Sequence, residues 1–136
     1  MTPAPTTQQY KSEEYLNLLR KVGHRLTSKW VFLGSKWQNA ESETIAYQAI
    51  VSCHHNLNAI GESMSWYHKT LLTENRLRGA LNASGLRTLV DDGSIVVEEY
   101  HGDLQPPDNT LMSKSGAPMV LRVTPSLLNY ALVMLK

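Results

Sequence analysis

A single cysteine, Cys53, among 136 residues means that no disulfide can form within the chain, and the expected setting is reducing and cytoplasmic. No stretch approaches the roughly 18 to 20 apolar residues a membrane-spanning helix needs, and no basic head with an apolar run behind it opens the sequence. Glycine-rich phosphate loops after a strand are missing too, which argues against nucleotide hydrolysis and dinucleotide binding. Acidic residues stand next to one another as Glu13-Glu14, Asp91-Asp92 and Glu98-Glu99. Neighbours in sequence do not face one cleft, so none of these pairs suits general acid and base chemistry.

Cys53-His54-His55 is the one cluster of metal-ligand types. Successive helical residues project about 100° apart, so His54 and His55 cannot chelate one ion as an i, i+4 pair would. His24, His68 and His101 stand alone. No catalytic residue, metal site or cofactor is expected, and the chain reads as a binding protein.

What the sequence does have is an apolar content of 42% against 18% charged, enough for a core in one compact domain. The net charge of +1 conceals an asymmetry, because residues 1–89 carry ten Lys/Arg against six Asp/Glu and residues 90–136 carry three against six. Residues 1–11, Thr/Pro/Gln-rich over 1–9, read as a flexible tail ahead of a domain spanning 12–136. Ser12 is a candidate N-cap with Glu13 and Glu14 behind it, where the helix dipole favours anions. Leu16, Leu19, Val22, Leu26, Trp30, Leu33 and Trp37 then recur as one stripe, predicting a long helix that Gly23 or Gly34 could loosen. Lys21, Arg25, Lys29 and Lys36 form a basic row beside that stripe, and no acid interrupts residues 15–40.

Ser42 is placed to cap a second helix carrying Ile45, Ala49, Cys53 and Leu57 inward, with Gly61 as its stop. A short segment over 62–72 precedes Thr73, which can cap a basic helix over 74–84. Gly85 then offers a stop. Asp92-Gly93 lies between the apolar runs 86–90 and 94–100, and Asp-Gly favours a hairpin turn, so both runs are expected to be strands. The alternative keeps 74–91 as one helix and makes 94–100 the first strand. Residues 118–124 alternate Met119, Leu121 and Val123 against Val120, Arg122 and Thr124, a further strand of a small antiparallel sheet. A polar loop over 101–117 separates the two. Pro125-Ser126 opens a last helix over 127–135, apolar on almost every side, which calls for cover from a second subunit.

The predicted fold class is therefore mainly α with a small antiparallel β-sheet, a long N-terminal helix and an apolar C-terminal helix. This order resembles a winged helix-turn-helix protein of the dimeric regulator kind over about residues 42–124. The resemblance implies a homodimer that binds double-stranded DNA and regulates transcription, with Asn75, Arg76, Arg78 and Asn82 near the groove and Lys69 and Arg87 near phosphates. Asp91, Asp92, Glu98, Glu99 and Asp103 depart from it, since an acidic wing sits poorly against a phosphate backbone. The alternative is a helical module that binds another protein and no nucleic acid.

Overall fold

The computed structural model describes residues 7–29, 41–65, 84–105, 110 and 112–135. In chain order these form α1 (Thr7–Tyr10), α2 (Glu13–Lys29), α3 (Ser42–Ile60), α4 (Ser84–Asp91), β1 (Ile95–Glu99), β2 (Met119–Val123) and α5 (Pro125–Met134). The chain is mainly helical with a small antiparallel sheet, as the sequence predicts; among the described residues that sheet has two strands, and the arrangement is compatible with a winged-helix-like fold.

Ser12 caps α2 as expected, its hydroxyl accepting from the Tyr15 N–H at 3.2 Å. Tyr15, Leu19, Val22 and Leu26 are buried along the inner face of α2. Gly23 is not a weak point in this helix. A Cβ at Gly23 would lie 2.4 Å from Cγ of His54, so the missing side chain lets α3 approach α2 closely. Residues 30–40, with Trp30 and Trp37, lie outside the described residues.

On α3, Ile45, Ala49, Cys53 and Leu57 are buried as their spacing predicts, and Gly61 ends the helix at φ 74° with its N–H bonded to the Leu57 carbonyl. The expected cap is displaced by one residue. Glu41 occupies the N-cap position without a side-chain bond, while the Ser42 hydroxyl donates to the Gly85 carbonyl at 3.1 Å and ties α3 to α4.

The expected strand over 86–90 is helical, and Gly85 lies inside α4 instead of stopping a helix. Leu86 and Leu89 point into the core, a helical spacing that two-residue alternation cannot give. Asp92-Gly93 is correspondingly a helix C-cap and not a hairpin turn. The Ser94 N–H reaches the Leu89 carbonyl at 2.9 Å and the Gly93 N–H reaches that of Val90 at 3.2 Å, the paired bonds of a Schellman motif. Gly93 has φ 80°, and both structures favour glycine for that reason. The alternative reading, helix through 91 and strand from 94, matches the described part.

β1 and β2 pair in antiparallel register from Ile95 opposite Val123 to Glu99 opposite Met119. Ser65 bridges Leu121 on β2 in addition, its N–H donating to the Leu121 carbonyl at 2.8 Å. One face of the pair, with Ile95, Leu121 and Val123, joins the main core made by α2, α3, α4 and α5. The opposite face is covered as well. Val120 packs with Met64, Tyr100 and Leu104, and Tyr10 closes over Arg122 with its ring centre 5.1 Å from the guanidinium carbon.

Tyr10 thus departs from the tail expected over residues 1–11, of which only 7–11 are described. It is wholly buried, meets Tyr15 edge to face at 5.2 Å, and its carbonyl accepts from the Ser63 hydroxyl at 3.0 Å. Thr124 caps α5, accepting from the Leu127 N–H at 3.4 Å while donating to the Ser94 carbonyl at 2.9 Å. Leu127, Leu128 and Ala131 face inward, whereas Tyr130, Val133 and Met134 are 52%, 63% and 51% exposed. That exposed side is where the sequence expects a second subunit.

Candidate nucleic-acid interface

Most of the groove-facing set falls outside the description. Lys69, Asn75, Arg76, Arg78 and Asn82, with Lys36 of the basic row, lie beyond the described residues, and so does the Lys29 side chain at the end of α2. Arg87, Lys21 and Arg25 are described, and all three are exposed. Arg87 stands on α4 one turn before Asp91 and pairs with it at 3.3 Å. Both side chains are well solvated, so this ion pair contributes only about 0.3–0.5 kcal/mol. Lys21 and Arg25 lie on α2, four residues apart, and share one side of it.

The acidic residues that count against DNA contact are mostly engaged within the fold. Arg122 donates from Nε to the Glu98 carboxylate across the strand pair, from a position only 3% exposed. Glu99 accepts from the Ser115 hydroxyl at 2.8 Å and lies 3.2 Å from Nε2 of His101. Hydrogen bonds from Ser113 and Ser115, with the nearby His101, hold the Glu99 carboxyl below its ordinary range. Asp92 accepts from the Ser94 N–H at 2.9 Å, an Asx turn that reinforces the cap. Asp103 is exposed. Between Ser113 and Gly116 the loop turns tightly, with Gly116 at φ 86° and its N–H bonded to the Ser113 carbonyl, and Lys114 stands exposed at that turn.

Periodicity puts Arg122 with Val120 and Thr124 on the face opposite Met119, Leu121 and Val123, and packing buries it there. Alternation shows which side a residue takes, and it does not show whether that side is covered. The pairing with Glu98 follows from the register of the ladder, in which Arg122 falls two positions along from the residue opposite Glu98, within diagonal reach.

Two concavities flank these features. A groove of about 570 Å³ runs between the starts of α2 and α5, lined among others by Glu14, Asn17, Lys21 and Asn129. A smaller pocket of about 140 Å³ lies at the end of the strand pair, walled by Lys11 with Glu62, Arg122 with Glu98, and His101 with Glu99. Each of its charges faces an opposite one.

Cys53 is fully buried, and burial pushes its thiol up to about 12, so it is not a nucleophile at neutral pH. His54, 7% exposed, has its pKa lowered by burial and then by His24, His55 and Arg20. Among the described residues no three His, Cys, Asp or Glu gather where they could hold a metal ion, and no helix is long and apolar enough to cross a membrane. No protein-family model matches the chain, and neither the curated proteins nor the solved structures give a match.

Proposed function

We propose that this chain is a non-catalytic protein that binds double-stranded DNA, acting as a small dimeric transcriptional regulator. The contacts we assign to it are Asn75, Arg76, Arg78 and Asn82 at base edges and Lys69 and Arg87 at phosphates. The observation that carries the reading is the order of elements around the sheet: α3, the Ser65 bridge to β2, α4, and then β1 and β2 joined by a long loop. That order supports a helix-turn-helix followed by a wing. The internal partners of Asp92, Glu98 and Glu99 support it further, since engaged carboxylates repel phosphates less than free ones.

Fluorescence anisotropy of mixed-sequence duplex DNA across a salt series tests the proposal. Binding should weaken linearly in log–log form with a slope of about −0.9 per phosphate neutralised. The double substitution Arg76→Ala plus Arg78→Ala should weaken it further, and Arg87→Ala should flatten the slope by about one phosphate. No binding at low salt sinks the proposal. A second reading, a module that docks on another protein, rests on the exposed apolar side chains of Tyr130, Val133 and Met134. Light scattering checks the dimer: a monomer at high micromolar concentration would mean that α5 does not join two copies.

A further inference from the structure

We infer that the pocket at the end of the strand pair binds a small α-amino acid as its zwitterion, with the carboxylate on Arg122 and the ammonium on Glu62. The inference stands whether or not the chain binds DNA. It begins with a buried donor left over. Arg122 is only 3% exposed, its Nε is taken by Glu98, and its Nη1 is buried with no partner among the described residues. The Tyr10 ring covers the guanidinium with its π face, centred 5.1 Å from the guanidinium carbon, and supplies no carboxylate or carbonyl oxygen there. Arg122 also lines the pocket of about 140 Å³. A buried donor without an acceptor is costly, and a guanidinium suits the oxygens of a carboxylate best.

The charges around the pocket favour a zwitterion over a plain anion. Glu62, Glu98 and Glu99 stand in its walls, with Lys11 and Arg122 as fixed cations and His101 as a titratable one. A lone carboxylate would bring a fourth negative charge among them, whereas a zwitterion adds no net charge. Glu98 is held by Arg122, and Glu99 by Ser115 and His101. Glu62 has only Lys11, at 4.0 Å, within Coulomb range but beyond a hydrogen bond, so it keeps its capacity to accept from an ammonium. Gly102 keeps the space small. A Cβ there would lie 2.1 Å from the Tyr100 hydroxyl, which accepts from the Leu104 N–H at 3.1 Å, so the loop after β1 is folded tightly against this wall. The volume matches the liquid share of about four or five waters at ~30 Å³ each, which is room for glycine or alanine and too little for a large side chain.

Calorimetric titration of the full chain with L-alanine near neutral pH tests this, with acetate and ethylammonium as separate halves of the ligand. The expected result is one alanine per chain, with each half bound about tenfold more weakly or worse. Arg122→Met and Glu62→Gln should each weaken alanine binding by about tenfold, while Lys114→Ala, on the exposed turn, stays within roughly twofold of the parent. Glu62→Gln keeps the shape of its side chain, so it reads the ammonium contact even where Arg122→Met disturbs the fold. The inference is overturned by no binding of alanine at millimolar concentration, by either half binding as tightly as alanine, by unchanged affinity in Glu62→Gln or in folded Arg122→Met, or by an equal loss in Lys114→Ala.

Discussion

Glu98→Ala should destabilise this protein well beyond an ordinary surface substitution. Arg122 is 3% exposed and its Nε donates to Glu98, while its Nη1 is buried without a partner among the described residues. Removing Glu98 strands a guanidinium between Tyr10 and the strand pair. Breaking a fully buried pair costs about 3–5 kcal/mol. The Glu98 side chain is 27% exposed, so water screens part of that interaction and about 2–4 kcal/mol is the working figure. For a domain of this size the matching fall in Tm is about 10 °C. Arg122→Met should cost less, because Glu98 can turn to solvent and the unpartnered Nη1 disappears with the guanidinium. Glu98→Val with Arg122→Met should return to within about 1 kcal/mol of the parent, as apolar replacements of buried pairs do. Urea denaturation of the four proteins measures the order directly. A loss under about 0.5 kcal/mol for Glu98→Ala, or a double variant as unstable as Glu98→Ala alone, would show that water reaches Arg122 and that the pair is not buried in the sense argued.

Stability should also fall on acidification through His54. Its folded pKa lies below the ordinary value of about 6.5, so the unfolded chain takes up its proton first. The contribution is complete above about pH 6.5 and lost as pH drops toward the folded value, at no more than about 1.4 kcal/mol per pH unit for one proton. Thermal melts from pH 7.5 to 5, comparing His54→Gln with the parent, read this; equal pH slopes in the two would refute it. Gly93→Ala should cost about 1 kcal/mol, because φ 80° is strained for any residue with a Cβ. Nothing lies within 4 Å of that Cβ position, so the backbone alone sets the penalty, and a loss of several kcal/mol in a urea melt would contradict the Schellman assignment.

Much of the architecture is legible in the sequence, and each success has a local cause. The spacing Ile45, Ala49, Cys53 and Leu57 marks the buried side of α3 because helical periodicity is a property of the chain itself. Ser12 and Gly61 mark helix ends because capping needs only a hydroxyl or a left-handed residue in place. Residues 86–90 misled because a short apolar run suits helix and strand alike, and Asp92-Gly93 serves a Schellman cap as well as a hairpin. Of the proposed interface, only Arg87, Lys21 and Arg25 have described side chains, and their exposure is the ordinary fate of arginine and lysine.

Composition and periodicity by themselves determined a mainly helical chain with a small antiparallel sheet, because those signals are carried by residues near one another in sequence. Tertiary packing alone decided that Tyr10 closes over Arg122, that Glu98 lies beneath it, and that Gly23 lets His24 meet His54. The physical reason is separation along the chain. Tyr10 and Arg122 belong to opposite ends of the sequence, and His24 and His54 to different helices. Contacts of that kind depend on which faces are covered, and coverage is settled only when the elements dock.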